Sequence, residues 1–449
     1  MRSAWALLIF VAMAIVAGCG GHSGTPGPLP SPYTSPFTSP PTSPPSQAPF
    51  APQNYIKHVV FIIQENRSFD NLFYGYPGAN TATSGQTSTG ATVQLHSAPL
   101  NACYDPDHNE IDFLTEYNGG AMNGFDQILS AGCTPPTDAA YAYVPAAESA
   151  PYFALAKQFV LADNNFASQI DASWTAHQFL IAAQSDLTVD APDHLPWGCD
   201  SPADTTVPTL NSDRTQGPGI SPCLNYTTFG DELDAKDVSW RYYAPAIGSN
   251  LGDIWSAYDA INHIRYGSDW GNNVISPPSR VLTDIAAGNL AGMTWIVPDY
   301  DESDHSGSGS GLGGPAWVSS IVDAIGTSQF WNSTAVFVVW DDWGGWYDHV
   351  APAQISVQSL GMRVPLIAIS PYAKANYVSH VSYETAGLLK FAETVFGVSA
   401  LTQADARAVD FSDMFDFGQS PRSYSSIRKH LSTRRYVPHP PSGVAPDNE

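Results

Sequence analysis

The sequence has few basic residues. Lysine and arginine total 18 against 42 aspartate and glutamate, which gives a formal net charge of -24 at pH 7. Electrostatic binding of nucleic acid needs clustered basic side chains, so this balance argues against a nucleic-acid partner. The acidic surplus is weak evidence for a metal site by itself, because carboxylates commonly cover a solvated surface.

Long apolar runs and several catalytic signatures are also missing. Beyond the N-terminus, no segment of the sequence is long and apolar enough to cross a bilayer. The chain contains neither a Walker phosphate loop nor an H-E-x-x-H zinc helix. Familiar nucleotide-binding and zinc-protease chemistries are therefore not indicated, and no internal repeat suggests a solenoid.

Cysteine is scarce, and the number of cysteines limits which disulfides or zinc sites the chain can form. The five cysteines are Cys19, Cys103, Cys133, Cys199 and Cys223, and no two of them form a C-x-x-C pair. An even number after Cys19 in an exported chain favours disulfides over zinc. Of the three pairings that four cysteines allow, we predict Cys103–Cys133 and Cys199–Cys223, because each closes a short loop-rich segment.

The N-terminus has the order of an export signal. Arg2 precedes an apolar stretch at 4–17, and small residues then lead directly into Cys19. This order resembles a bacterial lipobox, so we expect residues 1–18 to be a lipoprotein signal peptide and Cys19 to be acylated. The alternative is a plain signal peptide with a coincidental cysteine. Both alternatives predict export.

A linker and one large body follow. Residues 19–53 are rich in proline, serine and threonine and contain no Asp, Glu, Lys or Arg, a composition that predicts an extended tether. We expect residues 54–449 to form the globular part. The protein would then be a cell-envelope lipoprotein, periplasmic or surface-facing, whose body stands away from the membrane.

Four apolar runs in the body predict core strands. They lie at 58–63, 293–297, 334–340 and 364–369, and helical patterns occupy 316–325 and 383–396. This alternation predicts an α/β fold with a mainly parallel sheet. Each run leads into a polar, acidic or glycine-rich loop. Because ligands gather at the carboxyl ends of strands in such sheets, we expect all four loops at one edge.

Two of these strand ends carry oxygen donors. Glu65 and Asn66 follow the first run, and Asp341 and Asp342 follow the third. Adjacent carboxylates repel each other, and a bound divalent cation removes that cost. The pattern predicts one divalent metal ion, whose identity stays open because oxygen ligands accept several cations. The alternative for both segments is an ordinary capped turn.

Two further clusters contain the residue types of catalysis. Asp304 and His305 lie in an acidic, glycine-rich loop and are suited to ligate a metal, donate a proton or hold a phosphoryl oxygen. Ser173, Thr175 and His177 lie where a loop enters a helix, and a hydroxyl there is suited to nucleophilic attack. A flexible loop and a helix cap are the respective alternatives. No G-x-S-x-G elbow surrounds Ser173, which argues against an α/β-hydrolase.

Longer blocks carry a family resemblance. The sequence reads ENRSFDN at 65–71, DPDHNEIDFLTEYNGGAMNGF at 105–125, DDWGGWYDHV at 341–350 and GMRVPLIAISPYAK at 361–374. These blocks resemble those of the phosphoesterase family that contains bacterial and plant non-specific phospholipases C and a bacterial acid phosphatase. The resemblance spans residues 54–422. It implies an alkaline phosphatase-like fold, with a large, mainly parallel central sheet, helices on both faces and a metal at the strand ends.

The resemblance also implies roles for single residues. The metal ligands that it implies are Glu65, Asn66, Asp341, Asp342 and the nucleophile Ser173. SWTAH places Ser173 and His177 at the positions of the nucleophile block, where Thr175-Ala176 replaces the usual Pro-Asn. Thr175 therefore remains the alternative nucleophile.

Histidines and signature residues complete the set. The resemblance implies that His108 and His305 face the substrate, holding phosphoryl oxygens or protonating the leaving group, with His263 a weaker candidate. It gives Asp304, Asp348, His349 and Arg363 supporting roles near the metal or the substrate.

The implied activity is metal-dependent hydrolysis of phosphate esters through a covalent phosphoseryl intermediate. The substrate class stays open between a phosphomonoester and a phospholipid or other phosphodiester. The sequence stops soon after FDFGQSPR at 415–422, which leaves little room for the extra C-terminal domains of many secreted phospholipases C and modestly favours a compact phosphatase-like enzyme. The alternative function is a non-catalytic, surface-anchored binding protein that retains the fold. The sequence does not indicate an oligomeric state.

Overall fold

Strands and helices alternate along most of the chain. The computed structural model describes residues 50–249, 252–307 and 313–427. The expected signal peptide, the expected lipidation site Cys19 and nearly all of the 19–53 linker lie outside the described residues. No helix among the described residues has the length and apolarity that a membrane span needs.

The described residues form sixteen strands and eleven α-helices. The strands are β1 His58–Gln64, β2 Ser84–Gln86, β3 Thr92–Gln94, β4 His96–Ser97, β5 Tyr104–Pro106, β6 Ser130–Gly132, β7 Ala142–Tyr143, β8 Val160–Ala162, β9 Asn165–Phe166, β10 Trp240–Tyr243, β11 Val274–Ile275, β12 Met293–Ile296, β13 Thr334–Trp340, β14 Leu366–Ile369, β15 Tyr377–Ser379 and β16 Tyr383–Glu384. The helices are α1 Phe69–Leu72, α2 Glu110–Tyr117, α3 Ala150–Gln158, α4 Ser173–Ala182, α5 Phe229–Asp234, α6 Asn262–Arg265, α7 Ser268–Asn273, α8 Arg280–Ala286, α9 Gly313–Gly326, α10 Gly387–Phe396 and α11 Gln403–Arg407. Short 3₁₀ helices occupy Pro52–Asn54, Asn118–Gly120, Asp253–Trp255, Ala257–Ala260, Tyr300–Glu302, Trp331–Ser333 and Ser412–Met414.

Eight of these strands form one central sheet. Their order is β11-β10-β12-β1-β13-β14-β8-β15, and every neighbouring pair is parallel except the two that involve β14. Val60 of β1 lies opposite Thr294 of β12 on one side and Val336 of β13 on the other. The prediction of an α/β fold with a large, mainly parallel sheet is confirmed.

The continuous apolar runs follow from the position of the central strands. All seven residues of β13 are buried, as are six of the seven in β1. Because alternate side chains of a strand point to opposite faces, both faces of the sheet are covered here. Each buried valine or isoleucine contributes roughly 1.5 to 3 kcal/mol relative to an exposed one.

The direction of β14 corrects one prediction. The run at 364–369 was expected to end at the same edge as the others, but β14 is antiparallel to β13. Its carboxyl end therefore lies beside the start of β13, where the Ser370 hydroxyl donates to the Thr334 carbonyl oxygen at 2.9 Å. The loop after β14 is thus at the opposite edge. The segment before β14, including Arg363, lies at the edge where β13 ends.

The predicted helix at 316–325 lies within α9, whereas the predicted helix at 383–396 starts too early. Its first residues instead form β16, which pairs with β9, and α10 begins at Gly387. At Tyr383 and Glu384, pairing with the distant strand β9 has overridden the local helical periodicity.

Both predicted disulfides are confirmed. Cys103 is bonded to Cys133, and Cys199 to Cys223. The first bond lies at the open end of the β5–β6 pair, in which Pro106 is opposite Ser130. Disulfides are typical of proteins that fold outside the reducing cytosol.

Candidate active site

Four acidic and amide side chains meet where β1 and β13 end. The two strands are parallel neighbours up to their last residues, so Glu65 and Asn66 lie beside Asp341 and Asp342. The Asn66 backbone N–H donates to Asp341 Oδ1 at 3.0 Å. All four residues are buried. The edge of the sheet thus concentrates oxygen donors away from water.

Left-handed backbone lets these loops approach closely. Asn66 has φ 61°, in a region that asparagine tolerates better than most residues. Gly344 and Gly345 have φ 60° and 66°. A Cβ on Gly344 would lie 2.4 Å from the Asn66 carbonyl oxygen, and one on Gly345 would lie 2.7 Å from that of Asp107. The paired glycines are therefore required for the turn after Asp342 to reach these segments.

Ser173 begins α4 and points to the same cluster. Its hydroxyl donates to Asp342 Oδ2 at 3.3 Å. The hydroxyl of Thr175 takes different partners, since it donates to Asp171 Oδ2 at 2.8 Å and to the Thr188 carbonyl oxygen at 3.1 Å. The geometry thus separates the two candidate nucleophiles.

His177 lies one turn after Ser173 on α4, a spacing that puts both on one helix face. Its Nε2 is 3.2 Å from Glu65 Oε2 and 3.6 Å from Asp341 Oδ2. The Trp255 ring stacks on the imidazole at 6.4 Å between centroids and 9° between planes. Helix α4 therefore places a hydroxyl and an imidazole at the same cluster of acidic side chains.

His108 approaches the cluster from the segment after β5. Its Nε2 is 2.8 Å from Asn66 Nδ2 and 3.9 Å from Asp342 Oδ1, and its Nδ1 is 2.8 Å from the Pro106 carbonyl oxygen. A carbonyl accepts only, so Nδ1–H donates to it and Nε2 accepts from the amide. These contacts hold the neutral tautomer with Nε2 directed at the carboxylates.

Asp304 is held inside the fold next to His305. Its carboxylate accepts from the Tyr152 hydroxyl at 2.7 Å and from Trp340 Nε1 at 3.0 Å. Burial raises the pKa of Asp304 to about 6, although the Tyr152 hydrogen bond and the Arg67 charge oppose the rise. Asp304 therefore fixes its loop against the end of β13.

His305 also lies close to the Trp255 ring. The two rings are 5.9 Å apart between centroids. His305 Nδ1 donates to the Ser306 carbonyl oxygen at 2.8 Å, and Nε2 is 3.7 Å from Asp105 Oδ2. Trp255 thus contacts both His177 and His305 and links the histidine of the loop to that of α4.

His263 is placed differently from the other predicted histidines. Its side chain is 39 % exposed, with Nε2 2.8 Å from Asp231 Oδ1 and Nδ1 2.8 Å from Asn225 Oδ1. Both ring nitrogens therefore have surface partners outside the strand-end cluster. Its contacts indicate a structural position on α6.

The family can be assigned with this geometry in view. The family model described as Phosphoesterase matches residues 56–399. The chain belongs to the Phosphoesterase family. The match includes the two strand ends, the start of α4 and the three histidines of the site.

Several named relatives cover most of this phosphoesterase. Phospholipase C B of Mycobacterium tuberculosis is 24% identical over 428 residues, with 82% of this chain and 78% of that protein covered. Non-specific phospholipase C6 of Arabidopsis thaliana is 25% identical over 424 residues, with 83% and 74% covered. A solved structure of an alkaline phosphatase superfamily protein from Vibrio parahaemolyticus aligns with 9% identity, TM-score 0.37 and 78% and 68% coverage, a likeness too weak to carry an argument.

The donor set at the strand ends fits a divalent cation. Glu65, His177 and Asp341 each offer a ligand atom, and these atoms lie within 4.8 Å of one another. Within the described part of the chain, the buried Asp341 Oδ2 accepts no hydrogen bond. A buried carboxylate oxygen without a donor is costly. Carboxylate, amide and hydroxyl oxygens suit hard or borderline cations.

A second acidic group in the phosphoesterase already contains a cation. Arg363 donates to both oxygens of Asp348, from Nε at 2.8 Å and from Nη2 at 3.1 Å, and its Nη2 is 3.4 Å from Asp70 Oδ1. His349 Nδ1 is 2.6 Å from Asp70 Oδ2. The guanidinium supplies the positive charge that a metal would supply here, so this group is an internal ion network.

This network predicts a pH-dependent contribution to stability. Burial lowers the pKa of His349, but its hydrogen bond to Asp70 and the charges of Asp70 and Asp348 outweigh burial and raise that pKa above 6.5. The folded state therefore binds the proton more tightly than the unfolded state. The stabilisation is complete below pH 6.5 and is lost as pH rises through the raised pKa.

Urea unfolding of wild type and His349→Gln measures this effect. The free-energy difference between them should be larger at about pH 5 than at about pH 9, by a few tenths to about 1 kcal/mol. His380→Gln is the matched control, because His380 also pairs with an aspartate, Asp163 at 2.8 Å, but is 66 % exposed. A difference for His349→Gln that does not change with pH would contradict the prediction.

Two features of the site were not predicted from the sequence. His177 was predicted as catalytic, whereas its contacts to Glu65 and Asp341 also make it a possible ligand. The i, i+4 spacing between Ser173 and His177 in the sequence already indicated that both side chains lie on one helix face. Trp255 was missed because it lies in a short 3₁₀ helix, where no periodicity marks it.

Proposed function

We propose that this phosphoesterase hydrolyses phosphate esters in a metal-dependent reaction through a covalent intermediate on Ser173. The reaction class, phosphoric ester hydrolysis, rests on membership of the family and on relatives named phospholipase C. One observation carries the mechanism: the Ser173 hydroxyl at the start of α4 bonds to Asp342 beside the other acidic strand end.

Ser173 is suited to attack an electrophilic phosphorus. It occupies the first turn of a ten-residue helix, where backbone N–H groups and the helix dipole favour a phosphoryl group's negative charge. The Asp342 carboxylate, which accepts the hydrogen bond of the Ser173 hydroxyl, orients the hydroxyl oxygen and takes its proton as the new bond forms. The Ser173 Oγ–P bond forms while the bond from phosphorus to the alcohol oxygen breaks.

Glu65, Asn66, Asp341 and Asp342 would hold the divalent ion, with His177 within reach of two of them. A bound divalent ion lowers the pKa of a coordinated hydroxyl and neutralises phosphoryl charge. The Ser173 side chain beside these four residues is buried. Which cation is used stays open.

His305 and His108 would assist the departure of the alcohol and the later attack by water. His305 is suited to donate a proton to the departing alcohol oxygen, because Asp105, 3.7 Å from its Nε2, would stabilise the protonated ring. His108, held in the neutral tautomer by Pro106 and Asn66, offers Nε2 to a hydrogen-bonding oxygen of the substrate or of water. Attack by water on phosphorus then breaks the Ser173 Oγ–P bond, Asp342 returns its proton to Ser173 Oγ, and one proton of the water goes to His305.

The substrate class is proposed as a phosphate ester, with phospholipids included because the relatives are named phospholipases C. We test it with p-nitrophenyl phosphate, p-nitrophenyl phosphorylcholine and phosphatidylcholine, each with and without chelator. Turnover of at least one, abolished by chelator, is expected. Binding without turnover of any ester under any divalent cation would instead support the non-catalytic alternative.

The cellular location belongs to the same proposal. Residues 1–18 as signal, acylated Cys19 and a 19–53 linker would hold the 54–449 enzyme at the cell envelope. The two disulfides agree with export. Globomycin-sensitive processing and incorporation of labelled palmitate at Cys19 would test the anchor.

A further inference from the structure

Arg67 is a fully buried cation next to the proposed ligands Glu65 and Asn66. Its exposed fraction is 0%, and burial lowers the pKa of its guanidinium although Asp304 and Asp105 oppose the change. An arginine has five N–H donors, and leaving them unsatisfied in the interior is costly. The partners of this side chain therefore show what it does.

The guanidinium bonds mainly to backbone carbonyls. Nε and Nη2 donate to the Asp304 carbonyl oxygen at 3.0 and 2.6 Å, and Nη2 also donates to the Leu100 carbonyl oxygen. Nη1 donates to Asn71 Oδ1 at 3.3 Å. The Trp346 ring covers the guanidinium, with its centroid 5.0 Å from Cζ. The guanidinium therefore holds the main chain of two separate loops in place.

The two carbonyl partners of the Arg67 side chain belong to the two segments that carry His305 and His108. Asp304 precedes His305. Leu100 begins the segment that carries Asp105 and His108, and the N–H of Gly307 donates to the carbonyl of Ala102 in that same segment at 2.7 Å. The Arg67 backbone N–H donates to the Asp342 carbonyl oxygen at 3.1 Å. One residue therefore joins the ends of β1 and β13 to both histidine segments.

We propose that Arg67 is a positioning residue, which holds the His305 loop and the Asp105–His108 segment in register with the nucleophile. This role rests on the proposed function of the site. The Arg67 side chain acts through other residues, since within the described part of the chain its hydrogen bonds go to the Asp304 and Leu100 carbonyl oxygens and to Asn71 Oδ1. Its loss should therefore misplace the histidines while the proposed ligands remain.

The first test compares Arg67→Ala and Arg67→Lys with wild type. Because misplacement of a catalytic group by about 1 Å costs on the order of 100-fold in rate, kcat of Arg67→Ala should fall about 100-fold with a smaller change in KM. Lysine keeps the charge but not the fork, so Arg67→Lys should lose about tenfold or more. If Arg67→Ala does not fold, the kcat of Arg67→Lys alone decides whether Arg67 has the positioning role.

Arg422→Ala is a matched control with the same chemistry away from the site. Arg422 donates to the Gln158 and Ala373 carbonyl oxygens at 3.0 and 2.9 Å, and its Cζ lies 5.0 Å from the Phe159 ring centroid. Its loss should lower stability and leave kcat within about twofold of wild type. Added guanidinium, at concentrations that do not unfold the protein, should restore kcat of Arg67→Ala and leave Arg422→Ala unchanged.

Hydrogen exchange separates this claim from the proposed function. Peptides covering 299–307 and 98–108 should exchange faster in Arg67→Ala than in wild type and regain protection with guanidinium. Unchanged exchange there, or wild-type kcat in both Arg67 variants, would overturn the positioning role. If wild type turned over no ester, the proposed function would fail, and the exchange measurement would still decide the role of Arg67.

Discussion

Replacing Ser173 by alanine is expected to lower kcat on the order of 10⁶-fold, as loss of the nucleophile does in other enzymes with covalent intermediates. The substitution removes the hydroxyl that bonds to Asp342 Oδ2. It removes one oxygen from a helix start and should leave the fold intact. Steady-state kinetics on the best ester of the panel, with circular dichroism as the fold check, measures it.

Thr175→Val is the matched control for this prediction. Thr175 lies two residues along the same helix, but its hydroxyl bonds to Asp171 and to the Thr188 carbonyl oxygen. Its loss should cost about 1 kcal/mol of stability, because both acceptors keep another donor, the Asp190 N–H for Asp171 Oδ2 and Gln358 Nε2 for the Thr188 carbonyl oxygen, and should leave kcat within about tenfold. A large loss of kcat for Thr175→Val with activity retained in Ser173→Ala would identify Thr175 as the nucleophile instead.

Removing divalent metal is expected to abolish turnover and to lower the melting temperature. An ion present at about 100 times its dissociation constant stabilises the fold by about 2.7 kcal/mol, which corresponds to roughly 3 °C for a domain of this size. Melting curves with chelator and with each of several divalent cations measure the shift without relying on activity.

Asp341→Asn tests whether Asp341 is a metal ligand, through its melting temperature with added metal and in chelator. The variant loses a charged ligand, so added metal should raise its melting temperature less than that of wild type. It also relieves repulsion among Glu65, Asp341 and Asp342, so in chelator it should melt above wild type. Asp213→Asn, an exposed carboxylate bonded to Thr215, should follow wild type in both conditions. Equal metal responses of Asp341→Asn and wild type would contradict Asp341 as a ligand.

Much of the fold can be predicted from apolar patterning, but strand direction cannot. The runs at 58–63 and 334–340 predict β1 and β13 because a strand covered on both faces leaves no polar alternation. The run at 364–369 has the same composition, yet β14 is antiparallel. Direction depends on which neighbour the chain reaches after its connecting loop, and side-chain hydrophobicity carries no information about that.

The site is predictable where sequence position alone brings residues together. Glu65-Asn66 and Asp341-Asp342 each follow a strand, so parallel pairing of those strands is enough to make them neighbours. His108 and His305 come from loops whose places are fixed by tertiary contacts. His305 is already a candidate from the composition of its loop, whereas only the family resemblance implies His108. Trp255, which contacts two histidines, had no signal in periodicity or motif.

The most direct measurement of the central claim is peptide mass spectrometry of enzyme quenched in acid during turnover. With p-nitrophenyl phosphate as substrate, the account predicts a phosphoryl group on Ser173 that is absent without substrate and absent from Ser173→Ala. With p-nitrophenyl phosphorylcholine, the same serine should carry phosphorylcholine. Sustained turnover with the adduct on another residue, or with water adding directly to the substrate and no adduct on any residue, would contradict it.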